Sequence, residues 1–203
     1  MRKASRKLRG SYNNIIECYN SASDRGFRDG VAWYSEANSI SVSIGELAGY
    51  EGHQALFVGA GIISALSPQV EWGENIHYAM LLVKTGTRKH TNANHNKAVR
   101  IMNGEKPLSV LGGRKVRAFY KAIVAPTGSG EPVIDRHAVA VYMGRSVSTK
   151  ELSALQSIPV MNRLQGAYKR AGKILGVPHH QVQAVTWNEW RIRKGIVKSY
   201  DKE

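Results

Sequence analysis

A chain of 203 residues with 29 Lys and Arg against 15 Asp and Glu, a formal net charge of +14, can bury a core without metals or disulfides and is biased towards a polyanionic partner, most simply nucleic acid. Its single cysteine, Cys18, excludes an intrachain disulfide and fits a reducing, cytoplasmic or nucleoid-associated setting. The start, MRKASRKLRG, is basic with no apolar stretch behind it, and the longest apolar run, 12 residues at 55–66, is too short to cross a bilayer; neither a secretory signal nor a membrane partner is expected.

Residues 1–10 form a charged arm, expected to be flexible until it meets a partner. From Ser11 to about Asp24 the pattern suits a helix. The stretch 29–49 is mixed: Trp33 and Tyr34 could anchor a helix, while SISVSIG alternates as a strand would. Helix is favoured, because everything downstream is helical. A helix over 52–66 stops at Ser67-Pro68, since proline disfavours helix at its predecessor. The next opens near Glu71, with Trp72, Ile76, Ala79 and Met80 on one face.

A basic loop (TGTRKHT, 85–91) leads to a helix over 93–102, ended by Gly104-Glu-Lys-Pro107. Residues 111–125 carry a Gly-Gly turn and a basic amphipathic segment. PTGSGEP at 126–132 is a loop, and Asp135 then precedes a second apolar segment. Thr149 is expected to cap a short helix. Leu164, Tyr168, Ala171 and Leu175 repeat at helical spacing up to Gly176-Val-Pro178, and a last helix holds Val182, Ala184, Trp187 and Trp190. With no repeat, low-complexity tract or linker, residues 11–203 are expected to form a single all-α domain.

Three short stretches stand out chemically. In Leu66-Ser67-Pro68-Gln69 the glutamine lies in a turn between two helices, where it could simply cap the turn. In LGGRK, 111–115, glycines precede Arg114, Lys115 and Arg117; a lysine among such cations reads first as a phosphate ligand. Asp135, in Ile-Asp-Arg-His, is a good N-cap for the helix that follows, and His137 beside it is most simply structural. Trp187 and Trp190, next to Arg191, Arg193 and Lys194, could stack bases, but half-buried core is the simpler reading. His179-His180 have no ligand-spaced partners, and no phosphate loop or dinucleotide fingerprint is present; no metal and no cofactor are expected.

Together these stretches, spread over residues 59–175, resemble the helix-hairpin-helix (HhH-GPD, endonuclease III-like) DNA glycosylase superfamily. The resemblance implies an all-α, glycosylase-like fold of two helical lobes around a cleft, with double-stranded DNA as partner. Gln69 matches the residue that fills the hole left by an extruded nucleotide, where an amide can both donate to and accept from the orphaned base. Gly113 matches the second glycine of the phosphate-binding hairpin, the first falling on Leu111 with Gly112 able to compensate. Arg114 and Arg117 would assist the grip on DNA, and His137 matches the histidine of the aspartate motif.

Lys115 matches the Schiff-base lysine of bifunctional glycosylase/AP lyases, an amine that attacks C1′ of the deoxyribose. Asp135 matches the catalytic aspartate that stabilises the sugar cation. One cysteine cannot hold the four-cysteine iron–sulfur cluster of some members, so the resemblance is to a compact, phage-like variant. The implied activity is excision of a damaged or modified base, with strand scission if Lys115 acts as nucleophile. A non-catalytic DNA-binding module of the same fold, or a basic nucleoid- or ribosome-associated protein, are the rival readings.

Overall fold

Side-chain caps at Ser11, Thr91, Asp135 and Ser148 open four of the described helices. The computed structural model describes residues 10–128, 130–155 and 157–196; among them are eleven α-helices and no strand. Apart from Gly10, the charged arm of 1–10 lies outside the described residues. Helix α1 (Tyr12–Asn20) begins where Ser11 Oγ accepts from the Asn13 amide at 3.0 Å. The mixed stretch is helical as far as Leu47, within α2 (Asp24–Leu47); local β-propensity in SISVSIG is overridden by packing. The next helices are α3 (Gly52–Leu66), α4 (Trp72–Thr85), α5 (Asn92–Met102), α6 (Pro107–Val110) and α7 (Arg114–Val124).

Helix α8 (Arg136–Met143) is followed by α9 (Thr149–Ala154), α10 (Ile158–Leu175) and α11 (His179–Arg193). Thr149 is not the cap of α9 but its first helical residue. Ser148 takes the cap, its hydroxyl accepting from the Glu151 amide at 3.2 Å while the Glu151 carboxylate accepts from the Ser148 amide at 3.0 Å. This reciprocal capping box satisfies two otherwise open donors. Gly86, Gly144 and Gly176 end α4, α8 and α10 in the left-handed conformation, as such C-termini require.

The chain divides into two compact units. The first unit comprises residues 10–33 and Thr127–Ile196, with a core of Ile15, Ile134, Val139, Leu164, Tyr168 and Val182. Helix α8 packs there against α1, α10 and α11. Tyr168 is fully buried, and its hydroxyl donates to the Ala138 carbonyl at 3.0 Å, which avoids the penalty of a buried unpaired hydroxyl.

The second unit is Tyr34–Pro126. Its centre is α3, apolar on all sides and buried from Val58 to Leu66, as expected of a helix surrounded by others. Helices α4, α5, α6 and α7 pack around it. The later turns of α2 approach it backbone to backbone. A Cβ on Gly59 would fall 1.8 Å from the Ser41 carbonyl oxygen, and one on Gly45 1.9 Å from that of Ala55. Only glycine permits that approach. No helix among the described residues is long and apolar enough to cross a membrane.

Candidate functional site

Asp135 stands at the start of α8 in the first unit, half-buried, with extended backbone. Its Oδ1 accepts from the amides of His137 (2.9 Å) and Ala138 (2.8 Å). Its Oδ2 accepts from the indole Nε1–H of Trp187, on α11, at 2.8 Å. A carboxylate offers about four lone-pair sites, so three bonds fix its plane and leave one position on Oδ2 for an outside group. The indole is itself held in place. Trp33 packs on it at 5.2 Å between ring centroids, His137 meets it edge-on at 6.0 Å, and the Arg191 guanidinium lies 4.4 Å over its face. Trp187 is therefore a polar partner of Asp135 as well as half-buried packing.

In the second unit, the paired glycines lie in a short turn between two helices. Helix α6 leads into the turn Leu111-Gly112-Gly113, and α7 departs from it. Gly113 has φ 75°, a conformation costly to residues with a Cβ. No side chain caps α7, and its first turn holds Arg114, Lys115 and Arg117 with no acid. Cations at the positive end of a helix dipole are unfavourable by themselves and become favourable beside an anion. Arg117 is tied to the turn itself. Its Nη1 donates to the carbonyls of Leu108 (2.7 Å) and Leu111 (3.3 Å), so it braces the turn from within. Lys115 is exposed.

A further cation, from outside the motif, lies near the turn. Lys97 on α5 places its Nζ 3.9 Å from where a Cβ on Gly112 would be. Sequence spacing gives no sign of it, because the pairing comes from α5 packing against α6.

Gln69 is exposed in the turn between α3 and α4. It is the one non-glycine residue with positive φ (63°) among those described, and such a conformation costs about 1–2 kcal/mol outside glycine. Strain of this kind gathers at functional positions. Gln69 and the glycine turn belong to one unit and Asp135 and His137 to the other.

Over residues 1–194 the chain matches a family of unknown function, DUF7178. It belongs to that family. No curated protein and no solved structure matches the chain.

Elsewhere in this DUF7178 chain the polar groups of the first unit serve packing. Burial pushes the Cys18 thiol up to about 11, so it stays protonated and is a poor ligand or nucleophile. Burial also pushes the Glu189 carboxyl up, but bonds from the Ser23 hydroxyl and amide (2.7 and 2.9 Å) and from Arg193 outweigh it and hold the group below its usual value. Among the described residues, no cluster of three His, Cys, Asp or Glu side chains could hold a metal ion.

Proposed function

We propose that this chain is a helix-hairpin-helix-type DNA glycosylase that removes a modified base from duplex DNA. The observation that carries the reading is Asp135. The residue picked out by its motif is a helix-capping carboxylate with one oxygen tied to two backbone amides and the other to an indole. A carboxylate fixed in this way can face positive charge growing on a sugar without reorganising, the electrostatic term that dominates such catalysis. In the hydrolysis, the C1′–N bond breaks with its electron pair going to the base, water adds at C1′, and the released proton balances the charge on the departing base.

The hairpin, with Gly112, Gly113, Arg114, Lys115 and Lys97, would grip a phosphate, and Gln69 would fill the space of the extruded nucleotide. A Schiff-base lysine needs an amine freed from its hydration and charge. The exposure of Lys115 favours the phosphate role, and with it base release without strand scission.

The test is borohydride trapping and alkali cleavage on end-labelled duplexes bearing a panel of modified bases or an abasic site. Wild type would be compared with Asp135→Asn and Lys115→Ala. Alkali-labile sites that need Asp135, with no covalent adduct, are the expected result. An adduct lost in Lys115→Ala would instead establish a lyase. Silence across the whole panel, with duplex affinity retained, would overturn the enzymatic reading in favour of a DNA-binding module.

A further inference from the structure

We propose that His90 is the residue that holds Gln69 in its left-handed, outward-facing conformation, acting as the positioning residue for insertion into DNA. The inference rests on the reading of Gln69 as the residue that fills the hole in the duplex, and it adds a device that neither the motif nor the family match assigns.

Ser67-Pro68-Gln69-Val70 has proline followed by a residue of φ 63°, the signature of a type II turn. In that turn the central peptide is turned over relative to the commoner type I, and the third residue is normally glycine or asparagine. Glutamine gains nothing locally from this geometry, since its amide is too far out to bond its own turn as an asparagine side chain does. Something else must favour the turned-over peptide, and the group to hold is the Pro68 carbonyl.

His90 holds it. Its Nε2 lies 2.9 Å from the Pro68 oxygen, reaching across from the basic loop that joins α4 to α5. The tautomer follows from the partners. A carbonyl can only accept, so Nε2 carries the hydrogen. On the other side of the ring the Thr91 amide donates to Nδ1 at 2.6 Å, with the Asn94 side-chain amide at 3.5 Å, so Nδ1 accepts. The ring is thus gripped at both nitrogens. Its face meets Tyr78 edge-on at 6.5 Å, and Tyr78 in turn donates to Glu74. Thr91 is the N-cap of α5, so the clamp ties the turn after α3 to the first turn of α5.

All of these groups lie within the second unit, and the imidazole is half-buried while Gln69 points into solvent. Without the clamp, the Pro68–Gln69 peptide could turn back. Gln69 would then relax to negative φ, and its side chain would no longer leave the surface in the same direction. The same contact ties the loop 86–91 to the turn that carries Gln69.

The experiment measures, by fluorescence anisotropy with the full chain, the ratio of affinities for a duplex carrying a tetrahydrofuran abasic analogue and the same duplex intact. His90→Ala and His90→Asn, whose side chains cannot reach the Pro68 carbonyl, should lower the ratio about five- to tenfold, the effect of one lost hydrogen bond. His90→Gln, whose terminal amide nitrogen falls where Nε2 lies, should keep it near wild type. Affinity for the intact duplex should be unchanged in all three, which also reports that they fold; if His90→Ala does not, the Gln and Asn variants carry the comparison. In a Gln69→Ala background, already low in the ratio, His90→Ala should add nothing. A normal ratio in His90→Asn and His90→Ala alongside a lowered one in Gln69→Ala would overturn the clamp while leaving the role of Gln69 intact. An equal further drop in the Gln69→Ala background would also overturn it. A normal ratio in Gln69→Ala itself would remove the premise, and the clamp with it.

Discussion

Asp135→Asn, the natural substitution for a catalytic aspartate, should not be silent for stability, and the structure says by how much. Asparagine caps a helix about as well as aspartate, so the bonds from His137 and Ala138 to Oδ1 can persist. At the other oxygen an NH2 group replaces an acceptor and faces the Trp187 indole N–H, which lay 2.8 Å from Oδ2. Two donors now oppose each other. Loss of a hydrogen bond to a charged group costs about 1.5–3 kcal/mol. Trp187→Phe keeps the ring against Trp33, His137 and Arg191 but removes the donor, so in that background Asp135→Asn should cost under about 1 kcal/mol, the cap being retained. Urea unfolding of the four proteins in this double-mutant cycle gives the coupling directly. An equal cost of Asp135→Asn in both backgrounds would show that the indole contact carries no energy, and with it the argument that Trp187 fixes the carboxylate.

Three further outcomes follow from other parts of the molecule. The Glu189 carboxyl is held below its ordinary value, so the stability it adds is present above the unfolded value of about 4.3 and is lost as pH falls through the lower folded value. Glu189→Gln should accordingly lower Tm at neutral pH and converge on wild type once pH falls below the lowered folded value, and a gap that persists in strong acid would refute the assignment. Lys97→Gln should weaken binding to any duplex alike and reduce the slope of log K against log salt by about one, the signature of one lost phosphate contact; an unchanged slope would remove Lys97 from the interface. Glycine substitutions should split by space. Gly166, inside α10 with nothing within 4 Å of an added Cβ, should gain about 0.5–1 kcal/mol on replacement by alanine. Gly59→Ala, which drives a Cβ into the Ser41 carbonyl, should lose about 3 kcal/mol or more, both read by chemical denaturation.

What sequence alone determined about this protein is local. Serine, threonine and aspartate before apolar runs marked helix starts, and glycine and proline marked their ends, because capping and backbone freedom depend on a few adjacent residues. The all-α character and the span of α3 followed from that. The same locality explains the slip at α9: Ser148 and Thr149 are both good caps, and only the reach of Glu151 selects the first. Even Asp135 as cap of α8 was legible, since its donors are two and three residues away.

Tertiary structure decided what those residues are worth together. Trp187 meets Asp135 across 52 positions, His90 meets Pro68 across 22, and Lys97 reaches Gly112 from another helix. No local pattern encodes such pairs, because they arise when separate apolar faces pack and bring their polar edges along. Packing also separated Arg117, which braces the Leu108 and Leu111 carbonyls, from Lys115 two residues away, although both are exposed. Composition made both equally basic; the fold gave one a carbonyl to hold and the other to solvent.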